Sequence, residues 1–239
     1  MGSMRLTRNI LAFLFAFLLI LLLFLPVLFV SGILKHDAFI FSAARMVIKA
    51  TFRILGVKTV VRGLDDVDFS LSPLIVCNHL SNLDGPLLVG VLPLDPRVLI
   101  KAEARRIPLV GWIMKLADFV FVDRSSALRR QEALAETIEK IRTKRYSFLV
   151  FPEGTRSRDG ATLDFKKGSF LIALRAGVPV LPVKISGTHR LMPPGRKTCG
   201  RGTVTIEFFP LLDLGGIPES ELPGFIRSMQ QRIYMDEKT

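Results

Sequence analysis

The chain has 239 residues, with 33 Lys and Arg against 21 Asp and Glu, a net charge of +12, and 49% of its residues are hydrophobic against 23% charged. That balance excludes a disordered chain, which needs low hydrophobicity and high charge, and the length suits one domain with an appendage. Two cysteines, Cys77 and Cys199, exclude a disulfide-dense secreted scaffold, and no Cys/His cluster has zinc-site spacing.

The first element is apolar. No charged residue occurs from Asn9 to Leu34, and Ile10 to Val30 is apolar throughout. As a helix that run extends about 31 Å at about 1.5 Å per residue, the thickness of a bilayer core. It is longer than a signal-peptide core and lacks a small-residue cleavage site, so it reads as a membrane anchor. The next segment, Ala38–Gly56, carries Arg45, Lys49 and Arg53 every four residues beside a Phe/Ile face. Two readings fit: a helix lying on an anionic leaflet, or a core-packing helix with a solvated basic face. Arg5 and Arg8 favour a cytosolic N-terminus, yet Lys35, Arg45, Lys49, Arg53 and Lys58 place positive charge after the run as well. A re-entrant insertion bent at Pro26, or a monotopic hairpin with the second helix, resolves that conflict.

Residues 57–239 read as one α/β domain, against an anchor region at 1–56. Strands are expected at Val57–Val61, Leu74–Cys77, Val98–Ile100, Phe119–Val122, Phe148–Phe151, Val180–Ile185 and Thr203–Phe208, each a short apolar, β-branched run. Helical patterns alternate with them, starting at Gly85-Pro86 and covering Pro108–Leu116, Ser126–Arg142, Phe170–Ala176 and Glu221–Met235. Met192–Gly202 is a Pro/Gly-rich loop. The alternation predicts a mostly parallel sheet covered by helices, and ligands of such sheets bind beyond the carboxyl ends of the strands.

Three strand ends carry chemistry. After Leu74–Cys77 stands Asn78-His79-Leu80-Ser81-Asn82-Leu83-Asp84. Asp84 can turn back across the strand–helix corner to orient the His79 imidazole as a base, or it can start the next helix beside an ordinary loop histidine. After Phe148–Phe151 stands Pro152-Glu153-Gly154-Thr155-Arg156-Ser157, a tight loop in which Arg156 offers a fork for phosphate or carboxylate. The alternative is a turn with an exposed ion pair. Arg124 after Phe119–Val122 and Lys101 after Val98–Ile100 bring further cations to the same edge, where together they would focus an anionic substrate. Aromatic stacking platforms for nucleic acid are not evident. A G-x-S-x-G elbow and the common phosphate-loop fingerprints are absent. Cys77 reads as a buried thiol or as a nucleophile.

Taken together, Asn78-His79-x4-Asp84, Phe121-Val122-Asp123-Arg124, Phe151-Pro152-Glu153-Gly154-Thr155-Arg156-Ser157 and Val178-Pro179-Val180-Leu181-Pro182 stand in the order of the four motifs of the glycerolipid acyltransferases. The chain resembles that family over roughly Val57–Phe209, and within it the bacterial 1-acyl-sn-glycerol-3-phosphate (lysophosphatidate) acyltransferases. One departure is Ala117-Asp118, where the family often has glycine.

The resemblance implies transfer of a fatty acyl group from acyl-CoA or acyl carrier protein to the sn-2 hydroxyl of lysophosphatidate, giving phosphatidic acid. His79 would be the general base and Asp84 its partner, with no acyl-enzyme. Arg156, Arg124 and Lys101 would hold the substrate phosphate, with Glu153 and Gly154 shaping that pocket. Val178, Pro179 and Pro182 would line the acyl or acceptor side. No metal or cofactor is implied. The expected partners are the bilayer and the two substrates, not nucleic acid, with the catalytic domain on the cytosolic face of the cytoplasmic membrane. Other acceptors (glycerol 3-phosphate, a lyso-ornithine lipid, another lysophospholipid) and a non-catalytic protein binding anionic lipid are the alternatives.

Overall fold

A computed structural model describes residues 4–12, 14–15, 18–19, 22, 38–108, 110–161 and 163–234. Most of the apolar run, with Pro26 and Lys35, lies outside the described residues. Among those described, no helix is long and apolar enough to cross a membrane.

Seven strands form one sheet: β1 (Val57–Arg62), β2 (Leu74–Cys77), β3 (Arg97–Lys101), β4 (Val120–Val122), β5 (Phe148–Val150), β6 (Val180–Ser186) and β7 (Gly202–Phe208). Their order is β1-β7-β6-β2-β5-β3-β4. All pairings are parallel except β6 with β7. Each strand begins and ends within about two residues of the sequence expectation. The helices are α1 (Ala38–Leu55), α2 (Asp84–Val91), α3 (Val110–Leu116), α4 (Ala127–Lys144), α5 (Lys167–Ala176), α6 (Thr188–Leu191) and α7 (Leu222–Tyr234).

The central strands are apolar without a break because both faces are covered. Ile75 and Cys77 of β2 face a core completed by Phe52 and Leu55 of α1 and Leu87 and Leu88 of α2. Leu74 and Val76 point the other way, to Phe170 and Ile172 of α5 and Ile226 and Met229 of α7. The result is a three-layer sandwich in which the period-2 alternation of a strand delivers side chains to two cores. Strand β1 is an edge with most residues exposed, and Lys58 and Arg62 on it discourage pairing with another chain.

Helix α1 has a buried face, as the core-packing reading expects, and an exposed one. Ile40, Phe41, Val47, Phe52 and Leu55 are buried. Phe39, Met46, Lys49 and Arg53 form the exposed stripe. Arg45 leaves the stripe for an ion pair with Asp95 at 2.6 Å.

Residues 4–12, which are helical, also sit on the body. The Asn9 side chain, buried, grips the Cys199 backbone at both ends: its amide donates to the carbonyl at 3.2 Å, and its oxygen accepts the N–H at 2.7 Å. Arg8 adds a bond to the same carbonyl at 2.7 Å. Ala12 enters the core that contains Phe52 and Leu55.

Candidate active site

Strand β2 ends on Cys77, and the chain needs a rigid exit there. Asn78 provides it: its amide donates to the Ile185 carbonyl at 2.9 Å and accepts the Ile185 N–H at 2.7 Å, tying the end of β2 to β6. The following loop wraps around one carboxylate. Asp84 Oδ2 accepts the N–H groups of Leu80 and Ser81, each at 2.7 Å, and lies 2.9 Å from His79 Nδ1. Asp84 opens helix α2 and is completely buried. The carboxylate therefore fixes both the loop and the ring. With Nδ1–H donated to Asp84, Nε2 is left as the basic nitrogen.

Three further contacts hold His79, one through its ring and two through its backbone. Its ring stacks on Phe151 at 4.0 Å between centroids and 19° between planes. Its backbone N–H donates to Glu153 Oε1 at 3.0 Å. Its carbonyl accepts the Ser157 N–H at 3.3 Å. The same Glu153 oxygen accepts the Tyr234 hydroxyl at 2.7 Å, from the last residue of α7. Burial raises the Glu153 carboxyl above the usual range, and the bonds from Tyr234 and from the His79 backbone act against that shift. Burial also drives the Cys77 thiol well above its ordinary value, with Asp84 and Glu153 adding to the effect. A thiol in that setting is hard to ionise.

His79 opens on a cavity of about 940 Å³ beyond the carboxyl ends of β2, β5, β3 and β4. Its mouth carries Lys101, Arg124, Arg130, Arg156 and Lys166. Arg156 spends one N–H on Asn82 Oδ1, at 2.6 Å, and Arg124 one on the Gly154 carbonyl. Each guanidinium keeps further donors for an anion. Lys101 is exposed and paired with Glu103 at 2.7 Å. Gly154 adopts φ +70°, and a Cβ there would stand 2.9 Å from Lys166 Nζ, so the glycine lets that ammonium close over the loop. The buried floor is apolar, formed by Val98, Ala133, Val150 and Ile172.

The structure thus gathers His79, Asp84, Glu153, Gly154, Arg124, Arg156 and Lys101 at one end of the sheet. It does not bring Val178, Pro179 or Pro182 there. In the parallel register Val180 pairs with Leu74 and Val183 with Cys77, so Val178 and Pro179 sit at the opposite end. Val178 is buried in the far core, the Pro179 carbonyl accepts the Leu74 N–H, and Pro182 pairs with Val76. None of the three lines the cavity.

Lys166, Arg130 and Tyr234 were not singled out by sequence. Lys166 stands in a Lys-Lys-Gly run before a helix, a signal that marks it as basic and no more. Tyr234 has no local signal, because its role depends on where α7 packs. Among the described residues, no group of three or more His, Cys, Asp or Glu is placed to hold a metal.

Residues 58–186 match the family model described as Acyltransferase. A 1-acyl-sn-glycerol-3-phosphate acyltransferase of Borreliella burgdorferi is 30% identical over 193 residues, 81% of this chain and 77% of that protein. One of Limnanthes douglasii is 33% identical over 135 residues, 56% of this chain and 48% of that protein. The chain spans about half the length of the curated plant relatives it matches. The crystal structure of the 1-acyl-sn-glycerophosphate (LPA) acyltransferase PlsC of Thermotoga maritima superimposes with a TM-score of 0.80, at 33% identity, over 98% of both chains. The span that matches the family model starts in β1 and ends on the last residue of β6, and so contains the His79–Asp84 pair, the Glu153–Arg156 loop and the cationic mouth; this chain belongs to the acyltransferase family.

Proposed function

We propose that the chain transfers a fatty acyl group from an acyl thioester to the free sn-2 hydroxyl of 1-acyl-glycerol 3-phosphate. The observation that carries this reading is the His79–Asp84 pair at the mouth of a cavity whose rim is cationic and whose floor is apolar. Phosphate suits the rim, and an acyl chain suits the floor.

His79 Nε2 takes the proton of the glycerol hydroxyl as that oxygen bonds to the thioester carbonyl carbon. Asp84 stabilises the resulting imidazolium through Nδ1. The tetrahedral adduct collapses, the C–S bond breaks, and the imidazolium proton goes to the departing thiolate. Atoms balance as one C–O bond made and one C–S bond broken. No covalent acyl-enzyme enters, in keeping with a buried Cys77 that is hard to ionise. Arg124, Arg156 and Lys101 hold the acceptor phosphate.

The placement of the two N-terminal pieces favours an anchor that enters and leaves on one side. Residues 4–12 and helix α1 both pack on the catalytic body, through Asn9 and Ala12 in one case and Phe52 and Leu55 in the other. The chain between them starts and finishes on the same side. The catalytic domain then faces the cytosol, where acyl-CoA and acyl carrier protein are found.

The test is transfer from labelled acyl-CoA to lysophosphatidate in detergent micelles, wild type beside His79→Ala. Product in the wild type and a loss of about 10³-fold in the variant is expected. Equal rates would remove His79 as the base. Product with glycerol 3-phosphate or a lyso-ornithine lipid alone would move the acceptor, and product with acyl carrier protein alone would move the donor.

A further inference from the structure

From the cavity rim at Lys101 the chain runs on into a corner that the proposed reaction does not use. Directly after Lys101 the chain makes a 3-10 turn (Ala102–Arg106), passes through Ile107 and Pro108, and enters α3. The corner is rigid. The Gly111 N–H donates to the Ile107 carbonyl at 2.8 Å and the Ile107 N–H to Ala104 at 3.1 Å. A Cβ on Gly111 would stand 2.3 Å from the Arg105 carbonyl oxygen, so only glycine permits this packing.

What that corner holds outward is large and apolar: Ile107 is 48% exposed, Trp112 53% and Leu116 43%. Trp112, Lys115 and Leu116 follow the i, i+3, i+4 spacing of one helix face. Arg106 and Lys115 flank them, both exposed. Glu103, the acid beside them, is already paired with Lys101. Helix α1 adjoins, since its Ile40 and Phe41 share a small core with Ile113 and Ala117, and its own outer stripe exposes Phe39 and Met46.

Exposed apolar side chains held rigidly, a tryptophan among them and cations at the rim, match the headgroup boundary of an anionic leaflet. An acidic protein such as acyl carrier protein would also answer the cations, and the response of Trp112 to lipid against acyl carrier protein separates the two. We infer that the surface formed by Arg106, Ile107, Trp112, Lys115 and Leu116 is a second membrane-docking surface, which seats on an anionic leaflet beside Lys101. This rests on the lysophosphatidate reading. It deepens that reading by giving the lipid acceptor a way in: the phosphate reaches Lys101 while its chain is still in the bilayer.

Trp112 is the sole tryptophan, so its emission reports this corner alone. The full chain is bound to phosphatidylcholine–phosphatidylglycerol vesicles whose acyl chains carry bromines near the headgroup end. Trp112 emission should shift to the blue and be quenched by those lipids. Unchanged emission from protein that co-sediments with the vesicles would overturn the inference. So would an emission change produced by acyl carrier protein and not by lipid.

The second measurement uses Arg106→Glu with Ile107→Asp, leaving Arg105, whose guanidinium packs on Phe121 at 4.5 Å. Transfer to vesicle-borne lysophosphatidate should fall about tenfold while transfer in micelles is kept. Equal losses in both formats would overturn the inference. Quenching needs no turnover, so absence of acyl transfer in every format defeats the reaction and not the surface.

Discussion

Asp118, in the Ala117-Asp118 step, sits on a backbone that suits glycine. It adopts φ +62°, the left-handed region that glycine occupies at no cost. Its carboxylate offsets that strain by accepting Lys140 at 2.7 Å and Lys144 at 2.5 Å. Partial burial raises the carboxyl, but the two ammonium groups outweigh it and hold the value below the usual carboxylate range. Asn tolerates the same φ, so Asp118→Asn isolates the charge. The variant should lose about 1 kcal/mol at pH 7 in a urea melt. A depressed folded-state value contributes stability above the unfolded value of about 3.9 and loses it as pH falls further, so the gap should close below about pH 4.

Tyr234 makes the second argument at this scale. Removing its hydroxyl takes away one of the bonds that hold Glu153 ionised against burial. In Tyr234→Phe the Glu153 carboxyl should titrate higher. A carboxyl infrared titration should show that rise, with the rate at neutral pH lower by about fivefold as the support under His79 loosens. A change in stability with an unmoved carboxyl titration would leave Tyr234 a packing residue only.

Strands were legible one by one because each is a short β-branched run closed by turn residues, and the residues just past β2, β4 and β5 carry the polar side chains. Helix α2 was legible from Gly85-Pro86, and Asp84 proves to serve the loop before it by accepting Leu80 and Ser81. The mostly parallel pairing was legible from the alternation of strands and helices, but its exception at β7 was not. The antiparallel turn of β7 against β6 depends on how the Met192–Gly202 loop returns, which no periodicity records. Likewise Val178 and Pro179 read as site residues because they follow the other motifs in order, while the parallel register sends them to the far end. Asn78 shows how one residue joins two strands. Asn78→Ala leaves the buried N–H and carbonyl of Ile185 without the bonds they now make, and chemical denaturation should register a loss of about 2–3 kcal/mol.

At the scale of the whole molecule, direct transfer as proposed requires one chain to hold donor and acceptor together. Initial-rate plots against the two substrates should therefore intersect, and Cys77→Ala should keep that pattern; parallel lines would mean a covalent intermediate. The Asn9 clasp has a consequence at this scale too. Cys199 is followed by Gly200, whose N–H reaches the Leu191 carbonyl; the next residue, Met192, accepts the Ser81 hydroxyl at 2.7 Å; and the Ser81 N–H ends on Asp84. Hydrogen bonds joined by short stretches of backbone thus link residues 4–12 to the Asp84 carboxylate. A displacement of the 4–12 helix is therefore passed along the backbone to the loop that carries His79.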